Sequence, residues 1–284
     1  MGGVLAGGDE PGARASHTAH ERYAAAVDHD RAFAEAIVCR WSETPDEQRH
    51  AAESPKRQGQ LAADAPDSHA LYDSFYYQRG HADVFREVYK QACCSPPGKG
   101  ERLLVVDIGA GAATVAVGLG EALTRSERRR VDYRAFDPNP MMRELGREVL
   151  GCLGAGFRSD ACIDSLDDVD FTDVDRLLFA FSYVAHQRTV RPAHIASWAS
   201  VIERAVGEAG RAVELIYTTA NLSGGALVDL ERMLKEADVL KKQHRIDVRV
   251  RRRFPGSARG DGPIWWDEQS RLWDVRAEHW MLRT

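Results

Sequence analysis

Cysteine is scarce in this chain. Five residues in 284 (Cys39, Cys93, Cys94, Cys152 and Cys162) make an odd count with no Cys-x-x-Cys pair. That argues against a disulfide framework and a thiolate zinc site, and the expected compartment is the reducing cytoplasm. A large excess of charge of either sign is also missing. Lys and Arg number 38 against 43 Asp and Glu, for a net charge of −5. Phosphate backbones are held by local basicity, so no nucleic-acid partner is expected. The two arginine runs, 128–130 and 249–253, read as solvated faces. No apolar run has the length of a membrane span, so no membrane partner is expected. Met1 to Gly12 lack a basic stretch followed by an apolar core, and no signal peptide is read there. A phosphate loop ending in Lys-Ser/Thr and a Gly-x-Ser-x-Gly elbow are both absent, which removes triphosphate hydrolysis and serine-esterase chemistry. His17 and His20 fall in a stretch read as a tail, and no metal is assigned to them.

What remains is 44% hydrophobic and 29% charged residues, enough for one large α/β domain with a smaller cap. Residues 1–18, rich in Gly and Ala, read as a mobile tail, and residues 19–98 as a helical N-terminal cap. Apolar residues recur at helical spacing from Tyr23 to Trp41. They do so again from His69 to Cys93, with Leu71, Phe75, Val84, Phe85, Val88 and Tyr89 as core candidates. Ser95-Pro96-Pro97-Gly98-Lys99-Gly100 is a linker signal, so the main domain is placed at 99–284. From there strands and helices alternate. Strands are expected at Leu103–Val106, Tyr133–Phe136, near Phe157-Arg158-Ser159, at Leu177–Phe181 and at Val213–Tyr217. Two final strands at 246–252 and 271–282 form a terminal antiparallel pair. This rhythm implies right-handed β-α-β units in a doubly wound sheet.

The chemical signal follows the first strand: Val105-Val106-Asp107-Ile108-Gly109-Ala110-Gly111-Ala112-Ala113-Thr114. Glycines let the backbone bend and meet a ligand without a Cβ, and the next helix presents free N–H groups. The same turn alone would also suit a dinucleotide. Three acids sharpen the choice. Asp107, two residues before the first glycine, suits a cationic amino-acid ligand and would repel a pyrophosphate. Asp137, ending the second strand, can accept hydrogen bonds from a ribose diol. Asp160, after the third strand, can reach an adenine amine. The alternative for Asp107 and Asp137 is a pair of acids capping the helices that follow.

On these residues the segment from about 101 to 284 resembles the class I S-adenosylmethionine-dependent methyltransferases. Asp107, Gly109 and Gly111 match the Asp-x-Gly-x-Gly motif, with Ala113 where that family often has glycine. The resemblance implies an α/β fold: a doubly wound, mostly parallel seven-stranded sheet (the Rossmann-like methyltransferase fold) with an N-terminal helical cap. It implies S-adenosyl-L-methionine as cofactor. The Gly109-Ala110-Gly111 backbone would line the methionine part, Asp137 the ribose, and Asp160 with Ala161 the adenine edge, Pro138 and Met142 packing on the base. Phe181, Ser182 and Tyr183 end the fourth strand, which in that family faces the sulfonium. There an aromatic face stabilises the cation, and His186 suits a general base. The Asn/Asp-Pro-Pro-Tyr/Phe sequence of adenine and glutamine methyltransferases is missing. His186, Tyr183 and, in the cap, Tyr76 are the catalytic candidates, and Tyr77 or Arg79 would meet the cofactor carboxylate, for which a guanidinium has a matching fork.

The leading expectation is methyl transfer to a small-molecule O or N acceptor. One alternative keeps the cofactor but attacks its aminocarboxypropyl arm, by transfer or cyclisation. A second is a non-catalytic cofactor-binding partner subunit. RNA methylation using the arginine runs is a third. Trp265-Trp266 suits a substrate wall or an oligomer contact such as a homodimer.

Overall fold

The computed structural model describes residues 34–53, 65–92, 95–153, 157, 161–183, 190–209, 212–219, 225–251, 253–255, 266–268 and 273–283. The expected tail, Asp160, His186 and Trp265 lie outside the described residues. Of Trp266 only the backbone is described.

A π-turn at Ala34–Val38 leads into α1 (Cys39–Glu43), followed by α2 (Asp46–Ala52). The next helical run starts as α3 (Asp67–Asp73), widens to a π-turn at Ser74–Gln78 and continues as α4 (Arg79–Gln91). Then come β1 (Leu103–Ile108), α5 (Thr114–Ala122), α6 (Arg125–Arg128), β2 (Val131–Phe136), α7 (Pro140–Leu153) and β3 (Cys162–Ile163). β4 (Arg176–Ser182), α8 (Pro192–Ala209), β5 (Val213–Thr219) and α9 (Gly225–Glu236) complete the alternation. The C-terminal part holds β6 (Leu240–Val250), a small β7–β8 pair (Arg253–Pro255 and Trp266–Glu268) and β9 (Trp273–Leu282).

Seven strands form one sheet in the order β3-β2-β1-β4-β5-β9-β6. β1 to β5 pair in parallel, and β9 lies antiparallel between β5 and β6. The doubly wound, mostly parallel sheet and its terminal antiparallel pair are therefore as the sequence implied. Every residue of β1 is buried because helices cover both faces, which is why the strand reads as a continuous apolar run. Alternation divides it: Leu103 and Val105 join the core under α4, α5 and α7, whereas Leu104, Val106 and Ile108 join the core under α8 and α9.

Two expectations need correction. The third strand pairs at Cys162–Ile163, opposite Ala135 and Phe136, a few residues after the expected position; Arg158 and Ser159 lie outside the described residues. A two-residue edge strand is too short to leave a periodic signal. The boundary near residue 98 does not divide two cores. All six core candidates of the second helical run are buried, and Phe85 and Val88 share one core with Val105, Leu178, Ile216, Val248 and Ala277. α4 is thus a layer of the main domain, lying beside α5 and also contacting β5 and β6.

The α4–α5 contact is close. A Cβ on Gly118 would stand 2.8 Å from the Ala82 carbonyl oxygen and 3.3 Å from the Arg86 nitrogen. Both are backbone atoms, so relief requires the helices to part. Arg79, fully buried, pairs with Asp83 at 3.1 Å and with Glu121 on α5. Arg86 reaches the same Glu121 at 2.6 Å.

In an open helix Gly→Ala stabilises by about 1 kcal/mol. Gly118→Ala is expected to do the reverse, costing about 1–3 kcal/mol in urea denaturation, because overpacking outweighs propensity. A variant as stable as the wild type would show that α4 and α5 do not meet this closely.

Candidate functional site

Strand order reverses between β1 and β4, β2 lying on one side of β1 and β4 on the other. Ligands in open α/β sheets bind outside the carboxyl ends of the strands at such a point. The turn after β1 sits there and is tied down along its length. The Gly109 and Ala110 N–H groups both donate to the Phe136 carbonyl at the end of β2, at 2.8 and 3.0 Å. Gly111 N–H donates to Asp137 Oδ2 at 2.9 Å, and Asn139 N–H to Asp137 Oδ1 at 2.9 Å. Asn139 in turn accepts from Met142 N–H at 3.1 Å, capping α7 just before Pro140. Gly109, Gly111 and Ala113 take positive φ of 70°, 55° and 61°. For Ala113 this left-handed conformation costs about 1–2 kcal/mol, held in place by its surroundings.

Gln78, from the π-turn, closes the loop from above. Its Oε1 accepts from Ala112 N–H and from Thr114 Oγ1–H, both at 2.7 Å. A Cβ on Gly111 would stand 2.0 Å from Gln78 Nε2, so the absence of a side chain at 111 is what admits the amide.

The two acids of the motif are both deeply buried. Asp107 accepts from the Tyr133 hydroxyl at 2.5 Å through Oδ2, while Oδ1 has no hydrogen-bond partner among the described residues. Burial pushes its pKa up to about 7, against the Tyr133 hydroxyl and the nearby Val115 N–H, which favour the anion. Asp137 rises to about 6 for the same reason, against the Asn139 and Gly111 amides and the Arg143 charge. Asp137 therefore clamps the loop with one oxygen on each amide. A carboxylate oxygen has a second lone pair, so the clamp leaves acceptor capacity.

At the tip of β4, Tyr183 has φ of 61° and donates its N–H to the Thr218 carbonyl at 3.0 Å. Its ring lies parallel to His81 of α4, with centroids 3.8 Å apart, and Tyr77 stacks behind His81 at 6.3 Å. Beneath them Thr218 Oγ1 lies 3.3 Å from Ser182 Oγ. A left-handed aromatic residue is an uncommon conformation that tends to mark functional positions.

Several sequence expectations do not hold at the side-chain level. Arg79 does not face the loop as a free guanidinium, because Asp83 and Glu121 neutralise it inside the α4–α5 contact. Phe181 points to the opposite face of the sheet and packs on Trp198 and Tyr217, because adjacent strand residues alternate sides. Tyr76 lies in an aromatic cluster with Trp41, Tyr72 and Phe75. Met142 is buried, its sulfur accepting from Ser74 Oγ at 3.2 Å and Gln78 Nε2 at 3.5 Å, and Ala161 is buried as well. Pro138 is exposed at the β2 tip. Gln78 and Asn139 were missed, and His81 was noted only within the cap's aromatic cluster, with no role. Asn139 had a local signal, a cap residue ahead of a helix-opening proline, whereas Gln78 had none.

Both acids hold their protons to higher pH in the folded chain than the ordinary carboxylate value of 3.8. The native state thus binds more protons than the unfolded chain between about pH 4 and 7, and stability falls as pH rises through that window. Asp107→Asn is expected to flatten the fall by up to about 1.4 kcal/mol per pH unit. Urea denaturation at several pH values reads this slope, and a profile parallel to wild type would rule out a raised Asp107.

No protein-family model matches the chain, and no curated protein matches it. Solved structures similar to it include precorrin-6y C5,15-methyltransferase from Geobacter metallireducens GS-15, at 14% identity over 70% of this chain and 86% of that one, TM-score 0.40. Another is magnesium protoporphyrin IX methyltransferase from Synechocystis PCC 6803 with bound S-adenosylmethionine, at 12% identity over 85% and 99%, TM-score 0.40. A third is tRNA (m1A58) methyltransferase from Aquifex aeolicus, at 10% identity over 70% and 69%, TM-score 0.38. With its parallel strands wound both ways from β1, its reversed β9 and its glycine turn at the switch point, the chain has a doubly wound, Rossmann-like α/β fold.

Proposed function

We propose that the chain is an S-adenosylmethionine-dependent transferase, and that it methylates an O or N atom of a small-molecule acceptor. The observation that carries this reading is the glycine turn at the β1/β4 switch point, its bend set by positive φ at Gly109 and Gly111 and clamped by Asp137. Two further features suit this cofactor. Asp107 Oδ1 is a buried acceptor without a hydrogen-bond partner among the described residues, at a strand end where a cationic amino-acid group suits a carboxylate. Asp137, at the next strand end, is buried beside the loop with acceptor capacity left over.

In this reading the Gly109–Gly111 backbone lines the amino-acid portion, and Asp137 accepts from the ribose with the lone pairs its clamp leaves over. Pro138 packs on the base, Met142 supports it from beneath, and Ala161 and Asp160 bound the adenine edge. The bound cofactor supplies an electrophilic methyl group on a sulfonium. The Tyr183 ring, fixed by its backbone bond to Thr218 and by the His81 stack, presents a π face to that cation. His186, three residues on, removes the acceptor proton, and the helical segment over the loop keeps water away. Orientation of the acceptor along the C–S bond supplies much of the rate. The small net negative charge favours a small acceptor in the cytoplasm over a nucleic acid.

Calorimetry with S-adenosylmethionine, then incubation with cofactor alone and with cell extract, tests the reading. S-Adenosylhomocysteine as the nucleoside product is expected. Methylthioadenosine would redirect the chemistry to the other carbon arm, and absence of binding would end the proposal. Asp137→Ala is expected to weaken cofactor binding by about 1–3 kcal/mol, and unchanged affinity would remove Asp137 from the ribose site.

A further inference from the structure

Gln78 is 6% exposed, and its orientation is fixed by chemistry. The Ala112 N–H can only donate, so the atom 2.7 Å from it is the carbonyl oxygen. The amide NH2 then necessarily lies on the other side, over Gly111, where a Cβ would stand 2.0 Å from it. Among the described residues the acceptor that this NH2 meets is the sulfur of Met142 at 3.5 Å, and a thioether is a weak acceptor. A buried primary amide with two N–H groups and one weak acceptor is under-satisfied, and such groups call for an explanation. This one is aimed at the glycine loop from a π-turn in an otherwise α-helical run, a distortion that frequently marks functional sites.

The neighbouring guanidinium groups are committed elsewhere. Arg79 is neutralised by Asp83 and Glu121. Arg143, the cation beside Asp137, donates to the carbonyls of Asp137 and Pro138 and pairs through Nε with Asp164 at 3.1 Å. Asp107 and Asp137 supply negative charge to the loop, which suits an ammonium but not a carboxylate. An amino-acid ligand carries both groups, and its carboxylate needs a donor.

We propose that Gln78 is a specificity-determining residue that shapes the glycine loop through Oε1 and donates through Nε2 to the carboxylate of the bound amino-acid portion. The inference rests on the adenosyl-sulfonium reading above. It assigns the selection of an amino-acid-bearing nucleoside over one lacking that tail to a single neutral amide.

The test compares two ligands on the whole chain by calorimetry: S-adenosylhomocysteine, which carries the amino-acid tail, and methylthioadenosine, which does not. Gln78→Glu keeps an acceptor oxygen for Ala112 and Thr114 but replaces the donor with an anion. It is expected to lower S-adenosylhomocysteine affinity by about tenfold or more, with methylthioadenosine affinity within about twofold of wild type. Gln78→Met, close in size and without hydrogen bonds, is the second variant. It should lower the ratio of the two affinities in the same direction, and it decides the matter if the glutamate variant does not fold. Parallel loss of both ligands, or an unchanged ratio, would overturn the proposal and leave Gln78 as a loop brace. If neither nucleoside binds the wild-type chain, the functional reading itself fails, an outcome distinct from an unchanged ratio.

Discussion

The arrangement depends on one buried carboxylate. Asp137 joins the end of β2 to the turn after β1 and to the start of α7, with an amide from each of the latter two on its oxygens. A carboxylate removed from water is expensive unless its oxygens are bonded. Here the cost is offset only if Gly111 and Asn139 stand where they do. Three segments are thereby fixed relative to one another at the carboxyl edge of the sheet. Loss of the clamp would free the backbone amides that define the site, so fold and site share this constraint.

The second organising contact lies between α4 and α5. Gly118 lets the two backbones approach, and the space is closed by Arg79 and Arg86 against Asp83 and Glu121. The formal charges balance. Such buried clusters add little net stability compared with a hydrophobic replacement, but removal of one partner leaves an unpaired charge, which is costly. The consequence is positional: with α4 pinned to α5, the π-turn that precedes it delivers Gln78 to the loop, and the first turns of α4 place His81 against Tyr183. The N-terminal helical run is therefore part of the site's architecture, not an appendage.

Much of the fold was legible in advance. Leu103–Val106 and Leu177–Phe181 read as buried strands because helices on both faces leave no polar positions. The turn at Gly109–Gly111 was legible because positive φ is a local demand. Leu71 to Tyr89 read as a buried helical face, and so it is. The third strand was misplaced because two residues of pairing carry no periodicity. Arg79 was misassigned because a guanidinium in a segment read as a helical cap looks available until its partners are seen.

By itself the sequence determined the sheet's parallel core, the reversed strand at its end and the position of the glycine turn. Each of these follows from local geometry or from periodic burial, which neighbouring residues encode. The tertiary structure decided which side chains occupy the site. Gln78 meets Ala112 across 34 positions, Arg79 meets Glu121 across 42, and the partner of Asp137 at Gly111 is 26 away. Contacts between distant segments depend on how layers pack, and helical or strand periodicity within one segment carries no record of what faces it.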